Sequence, residues 1–171
     1  NKKTVSIKGK EMNNTCIYSD IVIKEDTIRV YNIHLASNWF KNADYSFISN
    51  PKKENLKKGI VGIIKRMKKS YKKRAEEVDV IKKHISDSPY PLIICGDFND
   101  TPLSYAYHSI KGKLTDAFNY SGKGIGNSFV KIPALRIDYI LHNNEFKSTN
   151  YKRHSQVFSD HYAISCEIII P

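Results

Sequence analysis

Apolar positions along the chain follow two periods, and each marks a different kind of element. "CIYSDIVI" and "TIRVYNIHL" are rich in β-branched and aromatic residues, with "KEDT" as the polar turn between them. They predict strands over residues 15–23 and 27–37. "SNWFKNADYSFISNP" then reads as a polar, aromatic loop, and Asn50-Pro51 as a cap followed by proline at a first helical position. From there Leu56, Ile60, Ile64, Met67, Tyr71, Ala75, Val78, Ile81 and Ile85 recur at three- and four-residue steps. That spacing predicts one apolar stripe along a long helix, with Gly59 and Gly62 as points of interruption. "SDSPYP" ends the helix, and Leu92 to Gly96 of "LIICGDFND" form the next strand. Residues 103–111 predict a short helix, "GKGIGN" a flexible loop, and "SFV", "RIDYILH" and "HYAISCEIII" three further strands. Strand–helix–strand followed by several strands argues for an α/β fold with a mixed sheet.

Composition narrows the class without changing this order. At 171 residues the chain makes one domain, or part of one, with a real core. No run of eighteen apolar residues exists to span a membrane, and "NKKTVSIKGK" lacks the apolar region of a signal peptide. A leader or anchor, if there is one, precedes these residues, and localisation stays open. Cys16, Cys95 and Cys166 have no CxxC spacing and sit in apolar stretches, so they read as small core residues. The formal charge of +11 is uneven, because Lys41 to His84 carries most of the excess Lys and Arg. A solvated helix face is the favoured reading of that segment, and a footprint for a polyanion is the other.

Polar groups gather at the ends of the predicted strands: His34, Asp97 and Asn99, Asp138, and Asp160-His161. Singly, a histidine or a turn-forming Asp or Asn carries little weight. Asp138 is harder to set aside, since a carboxylate inside an apolar strand is costly unless paired. As a set they make chemical sense. An Asp beside a His holds the imidazole tautomer and stabilises its protonated form. Several carboxylates with an Asn make a hard oxygen site suited to Mg²⁺ or Mn²⁺.

In order, "IHLAS", "GDFNDTP", "SF", "RIDYIL" and "SDHYAI" resemble the endonuclease/exonuclease/phosphatase superfamily, the metal-dependent phosphohydrolases similar to deoxyribonuclease I. The resemblance runs from about Asp20 to the end of the chain. It implies a two-sheet α/β sandwich with flanking helices, of which residues 1–171 are a single partial domain. That domain is the C-terminal half plus an edge of the first. It also implies roles. His34 contacts phosphate, Asp97 orients or activates the attacking water, and Asn99 hydrogen-bonds the phosphate. Asp138 holds His161, the general acid or base, and Asp160 lies near the metal, with Asp97 as a further candidate ligand. The implied reaction is Mg²⁺-assisted (or Mn²⁺-assisted) hydrolysis of a phosphoester by an in-line water.

The same resemblance implies an earlier strand with an asparagine and another ending in a glutamate, a principal metal ligand. Nothing before Asp20 matches either, and Glu11 in "GKEMNN" is no convincing substitute. Poor Mg²⁺ binding and little activity are therefore expected of this chain alone, along with self-association through an exposed apolar face. The substrate, whether nucleic acid, phospholipid head group or inositol phosphate, stays open. Trp39, Phe40, Tyr45 and Phe47 would border the cleft, to pack, to stack on bases or to enter a membrane surface. The rival reading is a non-catalytic phosphate- or partner-binding module that keeps the fold.

Overall fold

The computed structural model describes residues 2–5, 15–38, 40–49 and 56–171. Glu11, Trp39 and the Asn50-Pro51 helix start lie outside them. Strand β2 (Thr15–Ile23) pairs antiparallel with β3 (Asp26–His34) through a tight turn at Lys24, and β1 (Lys2–Val5) adds to the outer edge of β2. Strand β4 (Leu92–Asp97) then joins β3 in parallel, which places His34 opposite Asp97. A parallel neighbour needs a long crossover. Here it is built from α1 (Asn42–Ser49) and α2 (Leu56–Ser86).

After the short helix α3 (Tyr105–Lys111), β5 (Thr115–Asp116) and α4 (Ala117–Ser121), strand β6 (Asp138–His142) runs antiparallel to both β4 and β5. The result is a mixed six-stranded sheet in the order β1-β2-β3-β4-β6-β5, the α/β architecture expected from the sequence. A separate antiparallel pair, β7 (Lys147–Arg153) and β8 (Ile164–Ile169), closes the chain.

The main core lies on one face of the six-stranded sheet. Tyr31, Ile33, Ile94, Tyr139 and Leu141 point from the strands into Val78 and Ile81 of α2 and into Ala106 and Ile110 of α3. On the other face Val30, Ile93, Cys95 and Ile140 are only half-buried. The β7–β8 pair covers part of it and leaves a groove lined by Ile93, Cys95, Ile140, Ile164, Cys166 and Ile168. Cys16 is fully buried, and burial pushes its thiol up to about 12, in keeping with a core role.

Four local expectations are corrected. The segment between His34 and α2 holds a helix, α1, whose Phe47 ring packs on α2 where Gly59 offers no side chain. A Cβ at Gly59 would meet that ring at 2.7 Å, so this glycine admits a neighbour and the helix runs through it unbroken. The apolar stripe of α2 is buried only in its second half. Val78 and Ile81 are in the core, whereas Ile60 and Ile64 are exposed and Arg74 and Glu77 are buried. "SFV" is no strand either: Phe129 makes a single bridge to His161. Among the described residues, no helix is long and apolar enough to cross a membrane.

Candidate active site

The geometry begins at Gly96. Its backbone has φ +143, and a Cβ there would stand 1.9 Å from the carbonyl oxygen of Ile33. Only glycine permits β4 to approach β3 this closely while turning into the polar loop. Leu35 N–H then donates to the Asp97 carbonyl at 3.0 Å, and Phe98 N–H to the Ile137 carbonyl at 2.8 Å. The ends of β3, β4 and β6 are thereby tied together. His34, Asp97 and Asp138 sit side by side across them, because register pairs His34 with Asp97 and Asp97 with Asp138.

His161 comes from another part of the chain. Tyr162 N–H donates to the Ser128 carbonyl at 2.7 Å, and the Phe129 ring meets the His161 ring edge-on at 5.1 Å. The fully buried Ser128 hydroxyl accepts from the backbone N–H of both Ile137 and Asp138, each at 3.0 Å. One serine thus anchors the start of β6 and the segment carrying His161. That is the physical content of the "SF" pair.

The His161 Nδ1 lies 2.9 Å from the Asp138 carboxylate, so Nδ1 carries the proton and Nε2 is turned towards Asp97, 3.9 Å away. The hydrogen bond that His161 donates to Asp138 raises the His161 pKa above the usual imidazole value, against the lowering effect of burial. Burial raises the Asp97 carboxyl to about 6, and the neighbouring Asp138 charge adds to the rise. The Asn99 backbone N–H, His161 and His34 pull it the other way. Asp97 is therefore a carboxyl poised to exchange a proton near neutral pH. His34 places Nε2 3.8 Å from the same carboxylate and is partly open to solvent.

Asn99 adopts a left-handed backbone with φ 52. Its N–H donates to Asp97 Oδ1 at 2.7 Å, and its Nδ2 donates to Asp97 Oδ2 at 2.9 Å and to the Leu35 carbonyl at 3.0 Å. Both amide hydrogens are thus engaged, so a phosphate would have to take one from its present acceptor. Asp160 lines the same cleft, but its half-exposed carboxylate faces Lys131 at 3.3 Å. The groups that converge are Asp97, Asp138 and His161, with candidate ligand atoms all within 4.8 Å of one another. Two carboxylates beside an imidazole form a donor set that fits a hard divalent cation.

Sequence reasoning missed the support behind these groups. Arg74, buried to 1 % exposure, donates to Asp100 Oδ2 at 3.0 Å, to the Ala36 carbonyl at 2.7 Å and to Asn38 Oδ1 at 3.1 Å. Glu77 accepts from Ala36 N–H at 2.9 Å. From α2, these two charged residues fix the loops that follow His34 and Asp97. The Tyr139 hydroxyl donates to the Asp100 carbonyl at 2.7 Å, which ties the "GDFND" loop to β6. The apolar stripe of α2 runs past Arg74 and Glu77 through Tyr71, Ala75 and Val78, so its period gave no signal for either.

Above the cluster opens a cleft of about 440 Å³. His34, Asp97, Asn99 and His161 lie on one side of it, and its other walls are largely apolar. Phe40, Tyr45 and Ile48 supply one such wall, Ile63 and Met67 another. Phe40, Tyr45 and Phe129 pack ring on ring at 5.7 and 5.9 Å, so the aromatic segment borders the cleft as part of its wall.

No curated protein matches this sequence significantly. Solved structures do resemble the fold. An endonuclease/exonuclease/phosphatase family protein from Bacteroides thetaiotaomicron superposes with a TM-score of 0.65 at 15% identity, covering 92% of this chain and 56% of its own. The mannosyl-6-phosphatase Bt3783 of the same organism gives 0.62 at 15%, covering 99% and 65%. TDP2 of D. rerio, complexed with single strand DNA product, gives 0.64 at 13%, covering 99% and 67%. The chain therefore spans less than two thirds of the length of the first two. The sequence profile of the endonuclease/exonuclease/phosphatase family matches residues 69–161, the segment that carries Arg74, the "GDFND" loop, Asp138 and His161. With a match over more than half of its length and a mixed α/β sheet, the chain belongs to the endonuclease/exonuclease/phosphatase family.

Proposed function

We propose that this protein is a phosphoester hydrolase assisted by a divalent cation, Mg²⁺ or Mn²⁺. The observation that carries the reading is the convergence of Asp138, His161 and Asp97, of which the last two line the cleft. When bound, the ion would polarise a phosphoryl oxygen and offset the charge that develops there. Asp97 and Asp138 offer it oxygen donors, and Asp160 joins them only by releasing Lys131. Asp138 accepts from His161 Nδ1–H and keeps Nε2 directed at the cleft, where it gives or takes a proton. Asp97, with its pKa near 6, takes a proton from water, and Asn99 holds that carboxylate in place. His34 stands on the other side of Asp97, with an imidazole N–H available to a phosphate. These contributions are positioning and charge stabilisation.

A panel of DNA, phospholipids, inositol phosphates and sugar phosphates tests the reading in the full-length protein, each with Mg²⁺ and with EDTA. Hydrolysis of at least one class is expected with the metal and none with EDTA. His161→Ala and Asp97→Asn should each lower kcat by at least about a hundredfold. Absence of metal-dependent hydrolysis across the panel overturns the assignment.

We further propose that the half-covered second face of the six-stranded sheet pairs with a second copy of this chain. Its support is the open apolar groove beside β8 and the unpaired outer edge of that strand among the described residues.

A further inference from the structure

The crossover helix α2 carries two kinds of exposed side chain that core packing does not explain, aliphatics along the first half of its apolar stripe and lysines beside them. Ile60, Val61 and Ile64 are 42%, 65% and 56% exposed, and Ile48 of α1 is 38% exposed. Isolated apolar side chains on a surface are ordinary, but these are contiguous. Ile60 and Ile64 are one turn apart on the helix, on the flank that continues to Tyr71 in the cleft wall. Phe47 of α1 packs at Gly59, so Ile48 and Ile60 each follow a residue of the same contact. The exposed aliphatics thus border the cleft through Ile48, Ile63 and Met67, which line it.

Lysines flank this patch. Lys65, Lys68, Lys69 and Lys72 are all exposed, and they recur at the three- and four-residue steps that gather side chains on one helix side. Val61 lies among them, because positions 61, 65, 68 and 72 share a stripe. A helix of low mean hydropathy with an aliphatic flank and a lysine face is built to lie in the plane of a lipid interface. The aliphatics enter the acyl boundary, and the lysines meet anionic head groups. A nucleic-acid groove would call for the lysines alone, and it leaves Val61 and Ile64 in water without reason.

We propose that this flank of α2, with Ile48, docks on an anionic lipid surface and holds the mouth of the cleft against it. The phosphoester that enters is then a lipid's, with its apolar part along the wall formed by Tyr45, Ile48, Ile63 and Met67 and its phosphate at His34 and Asp97. The choice of substrate rests on the hydrolase reading, whereas the docking does not.

Vesicle co-sedimentation of the 171-residue chain in EDTA separates the two. Binding to phosphatidylcholine vesicles that contain phosphatidylserine is expected, with little binding to phosphatidylcholine alone and a steep decline with salt. Lys68→Gln combined with Lys72→Gln should weaken that binding roughly thirtyfold. Val61→Asp with Ile64→Asp should remove it, while the thermal melt stays within a few degrees of wild type because all four positions are exposed. Failure to bind either vesicle, or binding that survives the aspartate pair, overturns the proposal. So does single-stranded DNA binding that the glutamine pair abolishes and the aspartate pair leaves intact, or a dimer that only the aspartate pair dissolves. Cleavage of a small water-soluble phosphodiester, measured separately with Mg²⁺ in the full-length protein, reports on the hydrolase reading and should be equal in all these variants.

Discussion

Asp97 shows how one side chain ties chemistry to stability. Its carboxyl ordinarily titrates near 3.8, and the folded chain raises it to about 6. Between those values the folded state keeps a proton that the unfolded chain has lost, so this group makes stability fall as pH rises through the window. Above it the cost is about 3 kcal/mol. Urea unfolding in EDTA at pH 4 and pH 7 should therefore show Asp97→Asn gaining on wild type by up to about that amount. Equal slopes for the two proteins would contradict the burial account of Asp97. Gly96 is constrained by space: alanine there drives its Cβ into the Ile33 carbonyl, and Gly96→Ala should cost more than about 4 kcal/mol and leave no cooperative melt by circular dichroism. At this scale much was legible. His34, Asp97, Asn99, Asp138 and His161 stood out because each ends or interrupts an apolar strand. The partner of Asp160 was not legible, because an ion pair with Lys131 between two loops leaves no periodic trace.

Helix α2 is the element where pattern and structure diverge most. Its three- and four-residue apolar period correctly marks a helix and the buried Val78 and Ile81. It cannot mark Arg74 and Glu77 as interior, since they are buried by hydrogen bonds to loop backbone rather than by apolar packing. Arg74→Met should leave Asp100 without its guanidinium in a site where burial already raises the carboxyl. Such a change costs about 3–5 kcal/mol. The midpoint of urea unfolding checks it, and adding Asp100→Asn should recover part of the loss. Strand β7 was invisible for a related reason: "KSTNYKR" buries only Ser148, so no alternation of apolar residues marks it. Helix α1 was hidden by a segment whose apolar residues serve the cleft wall as much as the core.

For the whole molecule, the two faces of the six-stranded sheet are unequal. One is sealed by α2 and α3, and the other is half-covered by the β7–β8 pair. Light scattering at rising concentration should therefore report dimers or larger species. Ile140→Lys, on the open face, should shift the population to monomer. A monomer at every concentration contradicts the pairing. The sequence pattern carried the α/β class and the mixed sheet, since strand and helix periods are distinct. It did not carry the split into six strands and two, because register with β6 rather than local pattern decides which sheet a strand joins.

The parallel pairing of β3 with β4 has a further consequence, in time. His34 and Asp97 meet only after the whole α1–α2 crossover has been made, and His161 arrives from close to the C-terminus. Contacts of such long sequence separation form late and slowly. A chain emerging from the ribosome carries strands long before it carries a centre. The cluster of Asp97, Asp138 and His161 is thus complete only once the chain has been made as far as His161.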